Sequence, residues 1–259
     1  MNIEPDMFSQ LLEQQKRQGQ PSTVAVRSVL DIISQLRGNP RALDMADLKT
    51  FIQAAVASCQ DLSLLDYARL LRPYSKSVSE LAQALYPIAP DAAELVAALL
   101  DVSVYPQTRE TEMREVLVSC GYPQNDIDQA LRLNYPKTVI VQANRPWQDM
   151  DITVGEGEKA VIQYVSGWWF ISPQLPRCDA NGGPRRIQLP DYALPGYPEG
   201  GLVGRINKQA FWVGSHGETP AGLTGQLQLC PNDDLPGSYG VGLADNIGSL
   251  TVRVIIKRR

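Results

Sequence analysis

A chain of 259 residues, 44% apolar and 20% charged, is long enough to build two cores rather than one. Its formal net charge of −4 comes without a long basic run, and the closing Lys257-Arg258-Arg259 is too short to supply one, so the footprint of a nucleic-acid binder is missing. No apolar stretch approaches the roughly 20 residues that cross a bilayer, and the opening MNIEPDMFSQ lacks the basic-then-apolar order of a secretion signal. The expectation is a cytoplasmic protein without a membrane span, with export by a route that needs no signal peptide as the alternative.

From residue 1 to about 136 the apolar residues recur at helical spacing. In STVAVRSVLDIISQLRGNP, Val26, Val29, Leu30, Ile33 and Leu36 share one face, with Ser22 as the expected N-cap and Gly38 as the stop. PDAAELVAALLDV starts with Asp91 and places Glu94 three residues on, the pattern of a capping box, ahead of the stripe Leu95, Val96, Leu99 and Leu100. TEMREVLVSCGYPQNDIDQALRLNYP gives two further short helices, one stopped by Gly121 and one ended before Pro136. About seven helices, joined by short Pro-containing links, predict an all-α assembly or interaction domain over 1–136.

Past Asn134-Tyr135-Pro136 the period changes to two. Val139, Val141 and Ala143 alternate with Ile140 and Gln142, Ile152 and Val154 precede the turn Gly155-Glu156-Gly157, and Val161, Gln163 and Val165 alternate with Ile162 and Tyr164. Further strands are read in GGLVGRI, AFWVGS, GQLQL and SLTVRVII. Short strands between Gly- and Pro-rich turns predict an antiparallel β-sandwich or jelly roll over 137–259, and hence an α+β chain of two domains. Strand alternation puts Trp168 in the core and turns Trp169 outward. Cys59, Cys120, Cys178 and Cys230 are scattered without a CxxC pair, which argues against zinc and leaves a Cys178–Cys230 disulfide open.

An enzyme needs a base or a nucleophile. The single histidine, His216, sits in VGSHGETP beside Ser215 and Glu218, and neighbours in one tight loop cannot assemble a nucleophile, base and orienter. No GxSxG, P-loop, dinucleotide fingerprint or HExxH is present, so the protein is expected not to be an enzyme. The informative stretch is NDDLPGSYGVGLADNIGS, which gathers acidic and amide side chains at both ends of one loop with nothing basic between them. A hard cation such as Ca2+ takes carboxylate, amide and backbone carbonyl oxygens, so Asp233 or Asp234 with Asp245, Asn246 and the carbonyl of Ser238 form a candidate ligand set. The competing reading makes the same residues turn formers, with Asp245-Asn246 capping a hairpin.

From about Val139 to Ile256 the chain resembles the bacterial calcium-dependent galactophilic lectins, the PA-I-like family. The likeness is carried by VQANRPWQDMDITVGEGEKAVIQYVSGWW, by GGLVGRI, by GQLQLCPNDDLPGSYG and by DNIGSLTVRV, in that order. It implies a jelly-roll β-sandwich of the galactose-binding-like type, a calcium ion and a sugar whose adjacent hydroxyls complete the metal shell. Carried over by position, the metal ligands fall on Asp234 (or Asp233, by its distance from QLQL), Ser238, Asp245, Asn246 and the carbonyl of Ile171. Asp234, Asp245 and Asn246 then also face the sugar. Three departures stand out: Ile171 replaces a Tyr, Val241 to Ala244 are inserted in the loop, and the family's sugar-contacting His and Gln have no counterparts in DYALPGYPEGG. Tyr192, Tyr197 and Glu199 are the nearest candidates there, so the glycan is galactose-like or of another kind.

The resulting expectation is a non-enzymatic, calcium-dependent carbohydrate-binding module joined to a helical domain that recruits a protein partner, as in a targeting or sensing component of a toxin, secretion or defence system. A homo-oligomer is compatible with it. The alternative is a structural adaptor whose lectin-like half has lost sugar binding and serves protein contacts. A third reading, a hydrolase using the acidic loop, would require turnover that survives chelation.

Overall fold

The computed structural model describes residues 5–36 and 43–259. The expected stop at Gly38 lies outside the described residues. The chain divides into two compact units, Met1–Leu131 and Arg132–Arg259.

Among the described residues the helices are α1 (Pro5–Arg17), α2 (Ser22–Leu36), α3 (Met45–Ser58), α4 (Leu64–Leu71), α5 (Val78–Leu85), α6 (Ala92–Leu99), α7 (Glu110–Cys120) and α8 (Gln124–Asn134), one more than the expected seven. The predicted stripe of α2 is fully buried at Val26, Val29, Leu30 and Ile33, while Leu36, in the last turn, is exposed. Phe8 of α1 meets Phe51 of α3 edge-on, with ring centroids 5.7 Å apart. Ser22 is the first residue of α2 rather than its cap, and its hydroxyl donates to Asp61 at 2.6 Å.

The middle of this unit repeats. Ser63, Ser77 and Asp91, fourteen residues apart, are N-caps whose side chains accept the backbone N–H of Asp66, Glu80 and Glu94. Each cap opens a helix of two turns, and α4 and α5 each run into a 3-10 turn containing a proline, at Arg72–Tyr74 and Tyr86–Ile88. Leu71, Leu85 and Leu99 occupy the same place in the three repeats, and all are inaccessible to solvent. The cap satisfies an otherwise orphaned helix N–H, and the proline forbids a further turn, so the phase of each segment is set locally. After α7, Gly121 adopts φ 90° and closes the helix as a left-handed cap, as its sequence position predicts.

The second unit contains β1 (Lys137–Gln142), β2 (Gln148–Val154), β3 (Glu158–Phe170), β4 (Leu202–Ile206), β5 (Gln209–Trp212), β6 (His216–Glu218), β7 (Gly225–Pro231) and β8 (Ile247–Arg258). They form two antiparallel four-stranded sheets, ordered β1-β8-β3-β6 and β2-β7-β4-β5. With the helices of the first unit, these sheets make the chain an α+β protein. Because β3 and β4 lie in different sheets, and β7 and β8 likewise, two long connections pass from one sheet to the other: 171–201 and 232–246.

Two expectations are corrected here. Trp169 is the core residue, fully buried with its indole N–H donating to Gly200 O at 2.7 Å, and Trp168 is the exposed one. The cause is a register shift in β3 between Tyr164 and Ser166, where the pairing with β8 skips a residue. A bulge adds one residue to a strand whose side chains alternate with period two, so every residue beyond it changes face. Gly167, at φ 99°, follows at a point where a Cβ would lie 2.3 Å from Ser249 O. The second correction concerns His216, which opens the edge strand β6 opposite Gln163 instead of lying in a loop. All four cysteines are free thiols.

Candidate functional site

The two sheet-crossing connections are joined by Asn232, which has no solvent exposure. Its Oδ1 accepts from Leu194 N–H at 2.8 Å, and its Nδ2 donates towards the carbonyls of Leu194, Tyr197 and Pro198. Its backbone exchanges bonds with Gly200 and Gly201. One amide side chain and its peptide groups thus fix the segment 194–201 against the start of the acidic loop.

Asp233 and Asp234, adjacent in sequence, have different employment. The Asp234 carboxylate is spent on its own loop: Oδ1 accepts from the N–H groups of Gly237 and Ser238 at 3.1 and 3.0 Å, and Oδ2 from Tyr239 at 2.6 Å. Gly242, at φ 58°, passes so close that a Cβ there would lie 2.8 Å from Asp234 O. Asp233 faces the other way. Its Oδ1 accepts from Asp234 N–H at 2.7 Å and its Oδ2 from Asn246 Nδ2 at 2.8 Å, while its backbone carbonyl accepts from Ala193. Burial pushes the Asp233 carboxyl up to about 6, the Asn246 amide and the Asp234 N–H pull against that, and the negative charges of Glu199 and Asp245 add to the rise.

Asn246 is 4% exposed, and its Nδ2 also donates to Ala143 O at 3.1 Å. That leaves Asn246 Oδ1 buried without a hydrogen-bond partner. Rotating the amide to pair it would set an oxygen against a carboxylate and a carbonyl, so the orientation is fixed by its neighbours. A buried acceptor without a donor beside a buried carboxylate costs stability unless something positive occupies the gap.

Above these groups lies a cleft of about 510 Å³. Of the residues singled out in the sequence, Ile171, Tyr192, Glu199, Asp233, Asp234 and Asp245 line it. Tyr192 donates its hydroxyl to Glu199 Oε1 at 2.9 Å, and burial together with that carboxylate raises the phenol's pKa. Asn246 stands behind Asp233, as described. Ser238 is exposed and is not a lining residue, and Tyr197 stacks on Trp212 with ring centroids 5.3 Å apart. The stretch Val241 to Asp245 shapes the wall: Val241, Gly242 and Asp245 line the cleft, and Gly242–Asp245 form a 3-10 turn. Ser172, Gln174, Tyr239 and Gly240 complete the lining and are not among the residues singled out in the sequence. Ser172 and Gln174 follow Ile171 directly, and that adjacency was the available signal.

Among the described residues, no three His, Cys, Asp or Glu side chains form a metal-binding cluster. The cleft is lined by the carboxylate-bearing residues Glu199, Asp233, Asp234 and Asp245, with the Asn246 amide behind Asp233, and oxygen donors of that kind suit a hard cation and no soft one. Among the described residues no helix is long and apolar enough to cross a membrane.

No family model matches the chain, and no curated protein does. Among solved structures, the chain is similar to one titled "EclA N-terminal domain; PllA-like lectin" over 46% of this chain and 95% of that one, at 22% identity and a TM-score of 0.36. A likeness of that size assigns neither fold nor function.

Proposed function

We propose that the second unit is a non-enzymatic carbohydrate-binding module that takes its sugar through a calcium ion, with its two sheets arranged as a jelly-roll sandwich. The observation that carries the reading is the orphaned, buried Asn246 Oδ1 beside the buried carboxylate of Asp233. In this reading Asp233, Asp245 and Asn246 supply side-chain oxygens, and Ile171 supplies its backbone carbonyl. Asp234 serves the loop and is not a ligand. The ion supplies a positive centre for vicinal sugar hydroxyls, and the residues here hold the cleft open, orient the hydroxyls and exclude competing donors. Tyr192 and Glu199 line the same cleft as a hydrogen-bonded pair beside the acidic loop. The helical unit is the recruitment partner, in keeping with a targeting or sensing role in a toxin, secretion or defence system.

Calorimetric titration of calcium into the intact chain is the test. Asp233→Ala and Asp245→Ala are expected to lower calcium affinity by orders of magnitude while the circular dichroism of the chain is kept. Absence of any calcium heat from the wild type at millimolar metal overturns the reading and favours the adaptor alternative, in which the inserted Val241–Ala244 turn has closed the site to metal.

A further inference from the structure

A second, smaller chamber of about 80 Å³ lies against the cleft, and the two share Ile171 and Glu199 as common walls. Leu175, Pro176, Cys178 and Pro184 make the chamber apolar, and Arg185 stands beside Glu199 at its polar side. Cys178 behaves as part of that apolar wall: burial pushes its thiol up to about 11, so it stays neutral.

Glu199 is held rigidly at the divide. Its N–H donates to Arg185 O at 2.8 Å and its carbonyl accepts from Gly183 N–H at 2.7 Å. Its Oε1 is taken by the Tyr192 hydroxyl, whereas Oε2 lies 3.7 Å from Arg185 Nη1. That separation is longer than a hydrogen bond, so Glu199 Oε2 keeps acceptor capacity to spare beside the apolar chamber. A group that presents an N–H with a small apolar end on the same side matches both features. The size limits it further: a dry cavity of about 150 Å³ holds a benzene ring, so 80 Å³ admits a methyl or ethyl group and refuses an aromatic one.

We propose that the sugar taken by this protein carries an acetamido group, with the amide N–H donating to Glu199 Oε2 and the methyl group filling the chamber behind Ile171. This rests on the carbohydrate reading of the cleft and names the class of sugar. A plain hexose places a hydroxyl at the same point and leaves the apolar chamber empty.

The experiment is calorimetric titration of the intact chain in saturating calcium with methyl glycosides of N-acetylgalactosamine and N-acetylglucosamine, each against its parent hexoside. One of the acetamido sugars is expected to bind about ten- to a hundredfold more tightly than its parent, from the buried methyl and the charge-assisted bond to Glu199. Leu175→Trp, which fills the chamber from its wall, is expected to bring the acetamido affinity down towards that of the parent. Should that variant not fold, the N-benzoyl analogue on the wild type replaces it and is expected to bind no better than the hexoside. Equal affinity for acetamido sugars and their parents overturns this inference and leaves the calcium-sugar reading standing. Calcium binding without any sugar heat overturns both.

Discussion

The fourteen-residue repeats of the first unit and the sheet-crossing connections of the second differ in how far along the chain their structural instructions travel. In the first, Ser63, Ser77 and Asp91 each set a helix by bonding to a group three residues away. In the second, Trp169 is anchored 31 residues away at Gly200, Asn232 as many as 38 away at Leu194, and Asn246 as many as 103 away at Ala143. A local cap costs little chain entropy and can be lost with only its own turn affected. A distant bond holds a whole connection in place, and nothing nearby substitutes for it.

The largest test of that difference is Trp169→Ala. Removing a fully buried indole together with its bond to Gly200 is expected to cost about 4 kcal/mol. Hydrogen exchange should show the loss spread over β3, β4 and β8, while the amides of α4 to α6 keep their protection. Equal loss in the helices would break the comparison.

Asn232→Ala comes next, at roughly 3 kcal/mol, because it strips one N–H and several carbonyls of a partner in a buried setting. Its sharper signature is functional: calcium heat should vanish, since Asn232 ties the start of the acidic loop, and Asp233 next to it, to the segment 194–201. Retained calcium affinity would show that the acidic loop stands alone.

A third test uses protons. The folded protein holds the Asp233 carboxyl at about 6, above its unfolded value near 4, so the folded state keeps its proton over the interval between. This group's contribution is therefore complete below about pH 4 and is lost as pH rises through about 6, by roughly 3 kcal/mol in calcium-free buffer. Asp101, held down at about 2 by Ser103 and Arg69, runs in the opposite sense, losing its contribution as pH falls. The difference in unfolding free energy between wild type and Asp233→Asn isolates the first effect. A difference that is flat from pH 4 to 6 would remove Asp233 from its buried role.

The smallest expected effect is Ser77→Ala, about 1 kcal/mol from one lost cap. Loss of protection confined to α5 sharpens the comparison, and loss across all three repeats shows that the fourteen-residue units fold as one.

The same division explains what was legible in the sequence. The buried stripe of α2, the Asp91 cap and the Gly121 stop were readable because the deciding residues stand within one or two turns of each other. The spacing of Ser63, Ser77 and Asp91 is equally local, and it shows in the sequence once the three caps are set side by side. The acidic loop could be singled out by composition, yet Asp233 and Asp234 could not be told apart. Their roles depend on Asn246 and on the amides of Gly237 to Tyr239, whose placement is set by the turn of the loop. β6 has three residues, too few for alternation to register. Asn232 read as an ordinary turn residue, because its partners lie across another connection.

The extra residue at the Val165 bulge has a consequence for comparing this chain with others. Whether Trp168 or Trp169 faces inward is a matter of parity, carried by the number of residues before them in β3 and by no residue in particular. Two chains can therefore share the letters GWW and bury opposite indoles, and an alignment that opens a one-residue gap upstream will score the columns as matched while exchanging inside for outside. Counting along β3, rather than matching letters, is what tells a relative with the same interior from one with the same spelling.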